Sequence, residues 1–123
     1  MSLNGLRVLV VEDEALVAME IEAVVADLGC AVVGPVANLR DALRLIEEQD
    51  LDGALIDINL QGEHAYPAAE ALLARGVPFV FLTGYSGLPA PPAALQGAPE
   101  VRKPFAPRAL AATVRQVIGG ETG

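Results

Sequence analysis

The chain has 123 residues, 53% of them apolar in type, and a formal net charge of −8. That length makes one globular domain with room for one core and none for a second folded unit. Eight Lys and Arg against sixteen Asp and Glu argue against nucleic-acid binding, which needs clustered cations on phosphates. No run nears the roughly 20 apolar residues of a membrane-spanning helix, so no membrane association is expected. The lone Cys30 excludes an intrachain disulfide and reads as a small buried hydrophobe. Leu6–Val11 is too short for a signal peptide and runs straight into Glu12, Asp13 and Glu14, which points to a soluble cytoplasmic protein.

Apolar runs alternate with helical patterns along the chain. Leu6–Val11 reads as a strand, and Ala15–Leu28 as a helix carrying Leu16, Met19, Ile21, Val24, Val25 and Leu28 at mostly helical spacing, with Gly29 as its stop. A strand around Ala31–Pro35 follows, then a helix opened by Asn38 as N-cap and continuing through Leu39, Ala42, Leu43 and Ile46. Gly53–Asp57 is the third strand. A loop over Ile58–Gly62 leads to a helix near Ala65–Ala74, ended by Gly76, and Val77–Leu82 is the fourth strand. The Gly- and Pro-rich stretch Gly84–Pro99 leaves room for only one or two helical turns, around Pro92–Leu95. A short strand Glu100–Arg102 and a helix Pro107–Ile118 finish the series, with Pro107 suited to a first helical turn. Repeated βα alternation predicts an α/β fold with a parallel sheet and helices on both faces.

Polar residues stand at or near the downstream ends of these strands: Glu12-Asp13, Asp57, Thr83 and Lys103-Pro104. In a parallel α/β sheet those ends share one edge, so residues distant in sequence meet in one crevice. Three acids, a hydroxyl and an ammonium suit a divalent metal together with a phosphoryl group. Each signal alone has an ordinary explanation: Asp13 can N-cap a helix, and Thr83 can simply end a strand. Asp57 is harder to explain away, because it sits between Ile56 and Ile58 and a buried carboxylate needs a cation, a proton or a chemical task. The bond preceding Pro104 is a candidate for the cis form. His64, the one histidine, has no other His or Cys with which to form a ligand set and reads as exposed polar surface.

Four segments, Val8–Glu14, Leu55–Gly62, Phe81–Gly84 and Lys103–Phe105, resemble the receiver domain of two-component response regulators, a likeness that spans essentially all of residues 1–123. The resemblance implies a flavodoxin-like (βα)5 doubly wound parallel sheet with strand order 2-1-3-4-5, here with a short or irregular fourth helix. It implies that Asp57 is the phosphoacceptor and that Mg²⁺ is held by Asp13 and Asp57, by Glu12 mainly through water, and by the backbone carbonyl of Asn59. Thr83 and Lys103 would bind phosphoryl oxygens, and Lys103-Pro104 would be cis. The donor would be a histidine kinase or histidine phosphotransfer protein. The domain would catalyse only its own phosphoryl transfer and autodephosphorylation and would switch a surface for a downstream protein, with a homodimer left open.

Glu100 stands three residues before Lys103, where receivers often carry Tyr or Phe. The segment Phe79–Tyr85 instead resembles a subgroup with Phe-Ala-Thr-Gly at the end of the fourth strand, Leu82 replacing the Ala. Tyr85 and the Gly84–Pro99 stretch are then expected to take over switching alongside Thr83, with that stretch and the last helix as the partner surface. A phosphohydrolase of the dehalogenase type is the first competing class, but such enzymes place their nucleophile after the first strand rather than the third. A degenerate receiver used only for docking or dimerisation is the second, and the intact set Glu12, Asp13, Asp57, Thr83 and Lys103 speaks against it. A flavin site lacks its phosphate-cradling loop after the first strand.

Overall fold

The computed structural model describes residues 3–84 and 90–120. Five parallel strands form the main sheet: β1 (Arg7–Val11), β2 (Ala31–Val36), β3 (Gly53–Asp57), β6 (Phe79–Thr83) and β7 (Glu100–Arg102), side by side in the order β2-β1-β3-β6-β7. Counting main-sheet strands alone, this is the expected 2-1-3-4-5. Four α-helices are described, α1 (Ala15–Asp27), α2 (Leu39–Glu48), α3 (Tyr66–Ala74) and α4 (Pro107–Val117), together with a single 3-10 turn at Ala93–Leu95. That turn occupies the place of the expected irregular helix.

Alternation along the strands divides the apolar residues into two layers. Leu9, Val11, Ala54, Ile56, Phe79 and Phe81 pack against α2, α3 and Leu95. Val8, Val10, Leu55, Val80 and Leu82 pack against α1 and α4 through Ile21, Val25, Leu110 and Val114. Strands buried on both faces read as continuous apolar runs, which is why β1, β3 and β6 stand out in the sequence. Pro35 fits within β2 because that strand lies at the sheet edge, where a missing N–H costs little.

The helix boundaries follow local chemistry. Asn38 caps α2, its side chain accepting from the Asp41 N–H at 2.8 Å. Pro107 occupies the first turn of α4. Gly29 and Gly76 adopt φ of 88° and 72° just past α1 and α3, the left-handed conformation that ends a helix and that glycine enters without steric penalty.

Three local expectations are corrected. Ile58–Gly62 is not wholly loop: β4 (Asn59–Leu60) and β5 (Glu63–His64) form a small antiparallel hairpin. Its turn residues Gln61 and Gly62 both have positive φ, 55° and 87°, as a tight primed turn requires. The capping position of α1 is Glu14 rather than Asp13, and no side chain caps it. Leu16 and Met19 are not core residues but are exposed, at 76% and 63%. Helical spacing placed them on an apolar face, but α1 carries more apolar residues than the sheet can cover.

Candidate functional site

The carboxyl edge of the sheet gathers residues 12, 13, 57, 83 and 103. Glu12 directly follows β1, fixed by its N–H donating to the Val36 carbonyl at 2.9 Å. Asp57 ends β3 opposite Leu82, with the Ile58 N–H donating to the Leu82 carbonyl. Lys103 follows β7, its N–H donating to the Thr83 carbonyl at 2.8 Å. Backbone pairing thus brings together groups that lie up to 91 positions apart in the chain.

Asp57 and Glu12 are buried, at 4% and 3% exposure. Lys103 Nζ lies 2.7 Å from Glu12 Oε1 and 3.1 Å from Asp57 Oδ2, bridging the two acids. Asp13 is half-buried, and oxygens of Glu12, Asp13 and Asp57 lie within 4.8 Å of one another. Asp57 Oδ1 accepts from the Asn59 N–H, and Asp13 Oδ2 from the Gln61 N–H, each at 3.1 Å. Asp13, Asp57, Asn59, Gln61, Gly84 and Lys103 line an open crevice of about 450 Å³, rimmed by Val17 and Glu20 of α1 and by Phe105. The Lys103–Pro104 bond is cis, as expected; Gly34–Pro35 is also cis.

One ammonium among three acids leaves excess negative charge in a poorly solvated place. Burial raises the pKa of Glu12 to about 7, the Lys103 contact and the Glu14 N–H opposing the shift and the Asp57 charge adding to it. Burial also raises Asp57, though hydrogen bonds from Glu12 and Lys103, the Lys103 charge and the Asn59 N–H hold it down in part. Burial thus disfavours the charged forms of both Glu12 and Asp57, and Lys103 opposes that by favouring them. Burial alone would lower the pKa of Lys103, but its contacts with Glu12 and Asp57 outweigh that and raise it, so the ammonium stays charged. Oxygen ligands only, and three clustered acids against one ammonium, fit a hard divalent cation such as Mg²⁺.

Thr83 ends β6, half-buried, and is not among the residues lining the crevice. Tyr85 lies outside the described residues. Glu100 is exposed on β7, so the described structure holds no aromatic side chain three residues before Lys103. His64 departs from its reading as exposed surface: it is half-buried, with its ring 4.8 Å from that of Tyr66. Gln61 escaped sequence reasoning altogether, because its contribution is a backbone N–H in a left-handed turn that its side chain does not announce.

A doubly wound flavodoxin-like sheet with an acidic crevice at its carboxyl edge places the candidate site where such sheets bind their ligands. The family model described as response regulator receiver domain matches residues 8–115, and this chain belongs to that family. It is 33% identical to the phyllosphere-induced regulator PhyR of Methylorubrum extorquens over 120 residues, covering 91% of this chain and 43% of PhyR. The chain thus spans about half or less of the length of its curated relatives. It resembles the solution structure of SdrG from Sphingomonas melonis, with a TM-score of 0.78 and 38% identity, covering 93% of this chain and 96% of that one. It also resembles the receiver domain of the sensor histidine kinase PA1611 from Pseudomonas aeruginosa, solved with a magnesium ion in its active-site cleft. There the TM-score is 0.74 and the identity 30%, covering 94% and 98% of the two chains.

Proposed function

We propose that this chain is a phosphoacceptor switch in which Asp57 takes a phosphoryl group from a phosphohistidine donor. The observation that carries this reading is a carboxylate of 4% exposure at a strand end, held by Lys103 at 3.1 Å and clustered with two further acids. An oxygen of Asp57 attacks phosphorus as the P–N bond to the donor imidazole breaks; the acyl phosphate forms on Asp57, and the imidazole leaves neutral, retaining the proton already on its other ring nitrogen. Glu12, Asp13, Asp57 and the carbonyl of Asn59 are the groups to hold Mg²⁺. When bound, that ion offsets the repulsion between an anionic donor and an anionic nucleophile. Lys103 supplies a fixed positive charge to the transferred oxygens. Gly84 lines the crevice without a side chain of its own; among the described residues beyond its chain neighbours, a Cβ there would meet Lys103 Cδ at 3.9 Å.

Phosphorylation replaces one negative charge by roughly two, adds acceptor oxygens and draws Lys103 and the Thr83 hydroxyl toward the phosphoryl group. Movement of Thr83, coupled to Tyr85 and the following segment, then changes a surface read by a downstream protein. The donor is a cytoplasmic histidine kinase or phosphotransfer protein, and water returns the domain to its resting state. The chain acts on itself and not on an external substrate.

Incubation with acetyl phosphate and Mg²⁺ followed by intact mass measurement tests this. One phosphoryl group should appear and should be lost in Asp57→Asn and in EDTA. Absence of both the adduct and beryllofluoride binding would favour a docking module instead.

A further inference from the structure

Resting on the reading of a Mg²⁺ site at Asp57, we infer that the β4–β5 hairpin organises that site and that His64 is a positioning residue for it. The hairpin touches the acidic cluster at two points and carries the proposed carbonyl ligand. Asn59 N–H binds Asp57 Oδ1, Gln61 N–H binds Asp13 Oδ2, and the Asn59 carbonyl lies on the same strand. Each N–H occupies one carboxylate oxygen and thereby orients the other, as groups behind metal ligands commonly do.

A two-residue turn with two short strands has little stability of its own. Its internal supports are the Asn59–His64 and Leu60–Glu63 pairs and a hydrogen bond of 2.8 Å from the Gly62 N–H to Asn59 Oδ1. It is anchored to the domain by Leu60, which is 3% exposed in the core beneath β4, and by His64, directly opposite Asn59 and packed on Tyr66. Tyr66 opens α3, is 5% exposed and meets Phe81 of β6 edge-on at 6.0 Å. The Ala65 N–H, donating to the Ile58 carbonyl at 2.8 Å, closes the base of the hairpin. His64 Nδ1 is buried and has no hydrogen-bond partner among the described residues, and the ring packs on Tyr66. One chain of contacts therefore runs from the sheet core through Tyr66 and His64 to Asn59, whose carbonyl is a ligand in the proposed site.

The test follows Mg²⁺ titration by backbone amide NMR in the natural chain, His64→Ala, His64→Phe and Gln61→Val. His64→Ala should weaken Mg²⁺ binding about tenfold, the low end for losing a group behind a metal ligand. It should also speed amide exchange at Asn59 and Gln61 while β1 and β3 stay protected. His64→Phe, which keeps a stacked ring, should restore both readouts. Gln61→Val places a β-branched residue at φ 55° on an exposed turn and should reproduce the loss without touching the core, covering the case in which His64→Ala does not fold. Unchanged binding in His64→Ala, or in Gln61→Val if His64→Ala does not fold, overturns the inference, as does a His64→Phe as weak as His64→Ala. Absence of any Mg²⁺-dependent shift in the natural chain overturns the underlying reading of the site instead.

Discussion

Glu12 is the residue whose ionisation the site controls most strongly. Its folded-state pKa of about 7 stands above the ordinary 4.5, so the folded chain binds its proton more tightly than the unfolded chain. The resulting stabilisation is complete below about pH 4.5 and is lost as pH rises through about 7, with a slope of at most about 1.4 kcal/mol per pH unit. Urea titrations of the metal-free protein should show stability falling across that window, and Glu12→Gln should remove this part of the slope. Lys103 is the complementary residue. It is the partner in the ion pairs of both buried acids, so it serves the resting structure as well as the proposed chemistry. The sequence exposed both residues because acids and a lysine interrupt apolar runs. It concealed their separation, which depends on the register of β1, β3, β6 and β7.

At the scale of elements, α1 has a role that its periodicity alone disguised. Ile21, Val24 and Val25 bury against the sheet, whereas Leu16 and Met19 lie exposed one turn apart, next to Val17 and Glu20 at the crevice rim. Exposed apolar side chains adjacent in sequence to crevice-lining residues suit docking of the proposed histidyl donor protein. Leu16→Glu combined with Met19→Glu should slow phosphotransfer from a histidyl donor about tenfold, equivalent to roughly 1.4 kcal/mol of docking. Labelling by acetyl phosphate should be unaffected, since a small donor needs no docking surface. Equal loss with both donors would place the defect in the site. The hairpin β4–β5 is the element that sequence reasoning missed, since two-residue strands carry no usable periodicity and Gln-Gly is a weaker turn signal than Asn-Gly.

For the whole molecule, fold, charge and cation are linked. A chain of net charge −8 that buries two acids at one sheet edge should gain more from Mg²⁺ as those acids ionise. Thermal unfolding should show a larger Mg²⁺-induced rise in Tm at about pH 8 than at about pH 5.5, because binding to the native state alone adds stability that grows with the logarithm of its affinity. A rise independent of pH would place the ion elsewhere on the acidic surface. Among the described residues, no helix is long and apolar enough to cross a membrane.

The amino-acid sequence by itself determined the alternation of strands and helices, the strands buried on both faces, the Asn38 cap, and the candidacy of Glu12, Asp13, Asp57, Thr83 and Lys103 at the strand ends. These are local signals: apolar runs, stop residues and charges where charges are costly. Tertiary structure alone decided that Lys103 bridges Glu12 and Asp57, that Leu16 and Met19 face outward, and that His64 packs on Tyr66 beneath the hairpin. Those outcomes depend on which surfaces the sheet has room to cover and on backbone groups of Asn59 and Gln61, which every residue type carries and no sequence pattern marks.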